Sequence, residues 1–340
     1  MADSEKVHAP PSAVLLGYLQ GEWIARCIHL AAILDLAGLL KNGPQRIQQL
    51  AQATNTHAPS LYRLLRVLAC LEIFTEVEPE LFAQTELSEA LRFDLPGSVG
   101  YLAKMYGQEW QLKAWEHLEY SLRTSKAAVD HVYGTDIWTY FSRHPEQGEI
   151  FNQAIATFSE NNNTLLAQSY DFSTFTTLVD IGGGQGTFLT TILSLNPELH
   201  GILFDLPEVV ESARAKITSA FHDRLRLVGG SFFTTVPEGG DAYMMKMILH
   251  NWTDQDCIRI LENCRRVMKP ERKLLLFEPL IQPESGRETK LFDLLMLVNF
   301  AGRERTTEEF AYLFEASGFK LTQVIPIEAE VMSIVEGTPV

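Results

Sequence analysis

The stretch Leu178-Val179-Asp180-Ile181-Gly182-Gly183-Gly184-Gln185-Gly186-Thr187 decides the fold. Leu178–Ile181 is a strand-like apolar run carrying one acid. Helical spacing begins at Thr187, with Phe188, Leu189, Ile192 and Leu193 on one face. Glycines permit the sharp reversal between the two and let a ligand lie against the backbone. Their spacing is GxGxG. The place that would hold the last glycine of the dinucleotide fingerprint GxGxxG is taken by Thr187.

Two acids bracket this loop. A carboxylate at Asp180 would repel a pyrophosphate on the following helix N-terminus and would suit a cofactor with an ammonium and a sulfonium; a local turn-capping role is the plainer alternative. Asp205 ends the next strand, 21 residues beyond Gly184, where an acid accepts both ribose hydroxyls. Such an acid serves NAD and S-adenosylmethionine alike, so it implies adenosine without choosing. Asp180, the glycine spacing and the way the sheet closes favour S-adenosylmethionine.

Downstream, strands are predicted at Thr177–Ile181, His200–Phe204, Leu225–Val228, Ala242–Ile248 and Lys273–Phe277, with helices between them. That alternation predicts a doubly wound parallel α/β sheet. Leu321–Ile327 and Val331–Val335 are separated by a short turn, so the last pair is predicted to be antiparallel. Upstream, residues 97–170 are helical and rich in Met105, Trp110, Trp138, Phe141, Phe151 and Phe158; most are core, and the set offers an apolar substrate wall. From Ser12 to Leu40 helices are apolar on almost every side. Helices at Gln45–Thr54 and Leu61–Leu71 and a hairpin at Ile73–Thr85 make a winged-helix plan. The expected divisions are 1–96, a dimerising winged helix; 97–170, a helical cap; and 171–340, the cofactor-binding domain. Residues 1–10 are expected to be disordered.

Composition narrows the partners. A net charge of −15 would repel nucleic acid and anionic membranes. Arg63 and Arg66 are the only basic residues on the would-be recognition helix, and the hairpin tip is acidic, so the winged helix is read as packing rather than DNA reading. No stretch has the length of a membrane span or the pattern of a signal peptide. Cys27, Cys70, Cys257 and Cys264 form no CxxC pair, which suits buried thiols in a reducing compartment. A cytoplasmic location is expected.

The fourth sheet strand runs into Leu249-His250-Asn251-Trp252-Thr253-Asp254, placing His250 at the carboxyl edge where ligands bind in this architecture. Glu278 ends the fifth strand, and Glu304 precedes a helix capped by Thr306 with Glu309 three residues on. A carboxylate on one imidazole nitrogen leaves the other free to take a proton. A phenol, with a pKa of about 10, needs that help to attack at neutral pH.

The segments LVDIGGGQG, ILFDLPEVV, GGSFFTTVP, DAYMMKMILHNWTD, LLLFEPLI and GRERTTEEF, in this order, resemble the plant caffeic-acid-type O-methyltransferases and their bacterial small-molecule relatives over nearly the whole chain. The resemblance implies a class I methyltransferase (Rossmann-like) sheet ending in an antiparallel hairpin. It also implies a homodimer through the N-terminal domain. The expected activity is S-adenosylmethionine-dependent methylation of a hydroxyl on a small aromatic or polyketide-like molecule, yielding S-adenosylhomocysteine. It makes His250 the general base, flanked by Glu278 and Glu304. Cofactor contacts are expected at Asp180, Gly182, Gly184, Asp205, Leu206, Ser231, Phe232 and Lys246. The substrate pocket is expected at Met105, Phe151, Ile155, Asn251, Trp252 and Asn299.

Two positions depart from the family pattern. Ser231 stands where an aspartate usually binds the adenine amino group, and Asn251 where an aspartate often follows the catalytic histidine. No acidic cluster points to magnesium, so no metal is expected. Two other readings keep the cofactor: N-methylation, and the non-methylating hydroxylation, decarboxylation or pericyclic chemistry of some relatives. A third is a regulator acting through the winged helix.

Overall fold

The computed structural model describes residues 10–327 and 332–340, with side chains for all of these except 158–161. The N-terminal disorder expected for 1–10, the side chain of Phe158 and the strand start at Val331 therefore lie wholly or mostly outside the described residues. The chain separates into two units, one ending at Gln108 and the other running from Glu109 to Val340. Residues 97–108, expected with the helical cap, belong to the first. Their helix Gly100–Tyr106 packs on the long helix Pro11–Ile33, so closely that a Cβ at Gly107 would meet His29 at 2.7 Å.

In the first unit, helices Ile47–Ala53 and Ala58–Cys70 precede a hairpin of β2 (Phe74–Glu78) and β3 (Leu81–Gln84). Leu61, Leu65 and Leu68 recur at the helical interval and close over Ile47, Leu50, Phe74 and Phe82. Gln45–Arg46, expected to open a helix, is instead the two-residue strand β1 on the far edge of β3. The Arg46 guanidinium reaches across to Pro79 O and Glu78, and the Gln49 side chain accepts from the Arg46 N–H, so helical geometry begins only at Ile47. The first helix leaves Leu15, Leu16, Tyr18, Leu19 and Trp23 exposed within this unit.

The second unit carries a seven-stranded sheet: β4 (Thr177–Ile181), β5 (His200–Asp205), β6 (Leu225–Gly229), β7 (Ala242–Lys246), β8 (Lys273–Pro279), β9 (Phe319–Pro326) and β10 (Met332–Pro339), ordered β6-β5-β4-β7-β8-β10-β9. Strands β4 to β8 are parallel, and β10 runs antiparallel to both β8 and β9. Helices cover both faces, which is why the central strands are continuous hydrophobic runs rather than alternating ones. Strand order reverses between β4 and β7, opening a crevice at their carboxyl ends. Strand β7 stops at Lys246, two residues before the expected Ile248. Met247 enters the left-handed region (φ 55°), and Leu249–Asn251 forms a single 3₁₀ turn. A non-glycine residue in that region costs of order 1–3 kcal/mol, and here it aims the turn carrying His250.

Candidate active site

The glycine loop follows β4 as expected. Gly184 has φ 58°, and a Cβ built on it would meet nothing within 4 Å, so the loop presents bare backbone to open space. Its N–H donates to Asp205 Oδ2 at 2.8 Å, and Leu206 N–H donates to Asp205 Oδ1 at 2.7 Å. Each carboxylate oxygen retains a second lone pair for hydroxyl donors. Burial raises the Asp205 pKa, partly countered by these two N–H groups. Asp180 lies deeper, 1% exposed, with Oδ2 lacking a hydrogen-bond partner among the described residues. Burial, reinforced by the Asp205 charge and opposed by Lys246, pushes its carboxyl up to about 7. A buried acceptor without a donor is expensive, and a cation or N–H bound in the crevice would relieve it.

Residues expected around the adenine fall at the ends of β6 and β7. Ser231 Oγ accepts from Phe233 N–H at 3.3 Å, and Phe232 O accepts from Asn263 Nδ2 at 2.7 Å. Lys246 Nζ donates to Asn163 Oδ1 at 2.6 Å and lies 4.8 Å from the Phe188 ring centroid. Asn163 was not foreseen from sequence; it sits on the helix Pro145–Gln168 and ties that helix to the edge of the sheet.

His250 is buried, and its Nδ1 stands 2.9 Å from Glu304 Oε1. Glu278 Oε2 is 3.9 Å from His250 Nδ1, an ion-pair distance beyond hydrogen-bonding reach. Glu278 Oε1 instead accepts the N–H groups of Ile248 (3.0 Å) and Leu249 (2.8 Å), so it holds the turn rather than the ring. Burial alone would lower the His250 pKa, but Glu304 and Glu278 outweigh it and raise it above the usual imidazole value. Burial pushes Glu278 up to about 7, with the nearby Glu304 adding to the rise and His250 opposing it. The ligand atoms of His250, Glu278 and Glu304 lie within 4.8 Å of one another, a spacing that suits a shared proton or a bound cation. Backbone proximity locks the group together: a Cβ at Gly302 would stand 2.0 Å from His250 O.

Aromatic rings line the approach. Phe292 lies 5.7 Å from the His250 ring. Trp252 contacts Phe232 and Phe233 on one side and Trp138 (6.2 Å, 29° between planes) on the other. Trp138 also meets Phe300 and Phe151, and Phe151 meets Phe141. The helical wall inferred from composition is thus continuous with Phe232 at the cofactor loop. Asn251 Nδ2 donates to Met247 O at 3.1 Å, steadying the left-handed residue. Asn299 Nδ2 donates to Gln111 Oε1 at 2.9 Å, and its buried Oδ1 has no hydrogen-bond partner among the described residues. Ile155 is 37% exposed, and Met105 is buried within the first unit.

Comparison with known proteins bears directly on this arrangement. Residues 115–320 match the O-methyltransferase domain family, and residues 16–92 match the O-methyltransferase dimerisation domain. The chain belongs to the O-methyltransferase family. The methyltransferase is 41% identical to a phenazine O-methyltransferase of Lysobacter antibioticus, with both chains covered in full. It is 40% identical to a mitomycin biosynthesis 6-O-methyltransferase of Streptomyces lavendulae, covering 94% of this chain and 92% of that one. Among solved structures, LaPhzM superposes with a TM-score of 0.94 at 40% identity, over 98% of this methyltransferase and 100% of that chain. CalO1, a methyltransferase of calicheamicin biosynthesis in its S-adenosylhomocysteine-bound form, gives 0.81 at 33% identity over 97% and 98%. The methyltransferase is therefore an S-adenosylmethionine-dependent enzyme of secondary-metabolite type. Among the described residues, no helix is long and apolar enough to cross a membrane.

Proposed function

We propose that the chain methylates a hydroxyl of a small aromatic acceptor, with His250 as general base and Glu304 orienting it. The observation carrying this reading is the 2.9 Å contact between His250 Nδ1 and Glu304 Oε1 in a buried site. With Nδ1–H donated to the carboxylate, Nε2 holds the free lone pair that takes the acceptor's proton. Glu304 stabilises the imidazolium so formed. Glu278 fixes the backbone of the turn, and the Trp138, Trp252 and Phe300 rings hold a flat acceptor by stacking.

The loop residues suit the cofactor: Asp205 for the ribose hydroxyls, Phe232 and Ser231 beside the adenine, and the orphaned Asp180 carboxyl for the positive end. S-adenosylmethionine supplies the electrophilic methyl and a neutral thioether leaving group. We assign the cluster of His250, Glu278 and Glu304 to proton handling, with Glu304 Oε1 on His250 Nδ1 and Glu278 Oε1 on the Leu249 N–H. Glu278 Oε2 and Glu304 Oε2 are buried without a partner among the described residues, so a chelator test decides against a cation there. The first unit is read as the dimer-forming part, its exposed apolar helix face covered by a second copy.

The test is a panel of phenols, catechols, quinols and polyketides incubated with isotopically labelled methyl donor. Wild type yields a product heavier by one CH2 together with S-adenosylhomocysteine. His250→Gln keeps S-adenosylhomocysteine affinity by calorimetry and loses most turnover. Full turnover in that variant sinks the assignment of the base.

A further inference from the structure

We propose that Arg305 is a positioning residue of methyl transfer, its buried guanidinium fixing both ends of the turn that carries His250. This rests on the general-base reading above. The Arg305 side chain is fully buried, an unusual place for a charge that is never lost. Its donors reach the turn and the start of the helix that follows it. Nη1 donates to Leu249 O at 2.8 Å and Nη2 to Trp252 O at 2.8 Å, the carbonyls on either side of His250 and Asn251. Nε and Nη2 also donate to Asp254 Oδ1 at 3.1 and 2.9 Å, where the next helix begins.

The turn is thus held from two directions. Glu278 takes the N–H groups of Ile248 and Leu249, and Arg305 takes the carbonyls of Leu249 and Trp252. Arg305 is anchored in turn through its own carbonyl, which accepts Ile281 N–H at 3.1 Å, just beyond the strand that bears Glu278. Neighbouring residues divide the work, Glu304 holding the ring and Arg305 the backbone beneath it. A lysine could not reproduce this, because one ammonium cannot serve two carbonyls and a carboxylate in a fixed plane.

The charges around the ring are accounted for from every element packed on it. Glu304 and Glu278 favour the protonated imidazole, while Arg305 disfavours it. Asp293 accepts the Glu304 N–H at 2.8 Å. Asp254, shared by Arg305 and Arg303, neutralises part of the Arg305 charge, and Arg303 also pairs with Glu309. The Cys257 thiol, pushed up to about 12 by burial, donates to Leu249 O and stays neutral. Removing the Arg305 charge therefore strengthens proton binding at His250, and removing the Asp254 charge weakens it.

The experiment uses the full-length protein labelled with ¹³Cε1-histidine and saturated with S-adenosylhomocysteine, with the His250 signal assigned by its loss in His250→Gln. The titration midpoint of His250 is expected to rise in Arg305→Met and to fall in Asp254→Asn. Arg305→Lys, which keeps the charge, is expected to hold the midpoint nearer wild type while lowering turnover about 10- to 100-fold through misplacement of the ring. The midpoint shifts report the Arg305 charge beside the ring; a purely structural arginine would lower thermal stability in Arg305→Lys and leave the kcat of the folded enzyme at the wild-type value, and that result overturns the proposal. If Arg305→Met does not fold, Arg305→Lys carries the test, and wild-type turnover in that variant overturns the proposal. Wild-type turnover in His250→Gln would instead overturn the general-base reading, while leaving the titration shifts standing.

Discussion

Glu304→Gln is the substitution that isolates charge from geometry at the centre of this site. Glutamine keeps a carbonyl oxygen where Glu304 Oε1 stands 2.9 Å from His250 Nδ1, so the ring stays oriented and only the negative charge is lost. A hydrogen bond to a charged partner contributes about 1.5–3 kcal/mol, more than its neutral counterpart. If that difference, about 1–1.5 kcal/mol, is realised as the imidazolium forms, turnover falls roughly 5- to 10-fold at pH values where the base is neutral. The pH profile gives an independent sign. Glu304 and Glu278 together hold the His250 pKa above its ordinary value against the opposing effect of burial. A general base works when neutral, so the acid limb of kcat/KM lies at the raised pKa, and losing the Glu304 charge moves that limb to lower pH. The assay is initial-rate transfer from labelled S-adenosylmethionine to the best phenol of the panel, run across the pH range in wild type and variant. A plateau equal to wild type, or an acid limb displaced upward, would refute the reasoning.

Asp180→Asn should reduce the pH dependence of stability. The folded pKa of about 7 lies above the ordinary carboxylate value, so the folded state keeps a proton that the unfolded chain releases. Stability of the cofactor-free protein falls as pH rises through that window, by up to a few kcal/mol, and levels off above the folded pKa. Thermal melts at about pH 6 and about pH 8 should differ less in the variant; calorimetry should show weaker S-adenosylmethionine binding, and an unchanged pH difference would contradict the assignment. Turnover should survive exhaustive treatment with EDTA; loss restored by a divalent cation would hand the His250, Glu278 and Glu304 cluster to a metal. Gly302→Ala places a methyl 2.0 Å from the His250 carbonyl, where only backbone could yield. It should lower the melting temperature by more than Gly184→Ala does and should also cut turnover, and a variant as stable as wild type would show that the 301–305 segment moves freely.

How far this site could be read from the chain alone depended on whether the controlling interaction was local. The β4 loop was legible because its glycines, the flanking acids and the helix start all lie within one short run, and each residue type has a steric or electrostatic reason to be there. The sheet was legible because buried parallel strands leave continuous apolar runs. His250 and Glu304 were legible as types at an expected edge, yet their 2.9 Å contact spans 54 residues and depends on Gly302 lying against the His250 backbone. Glu278 was legible as a carboxylate at the end of β8, whereas the hold of its Oε1 on the backbone of the turn was not. A carboxylate at that edge can meet either the ring or the backbone beneath it, and the choice follows from the left-handed Met247, which turns the Ile248 and Leu249 N–H groups toward β8. Met247 carries no sequence signal for that conformation, since it is imposed by its N–H bond to Phe277 O and the Asn251 side chain on its carbonyl. Arg305 was hidden for the opposite reason. In Gly302-Arg303-Glu304-Arg305 it reads as one of two surface cations; residues two apart share a face of extended backbone, so local pattern does not separate Arg303 from Arg305, and it is the bridge to Leu280 that sets Arg305 against the sheet. The Arg305 side chain is fully buried on the Leu249 and Trp252 carbonyls, and Arg303 stays half-exposed at Asp254 and Glu309. The chemistry of the site is therefore carried by residues whose types are visible in sequence, and its geometry by backbone constraints that are not.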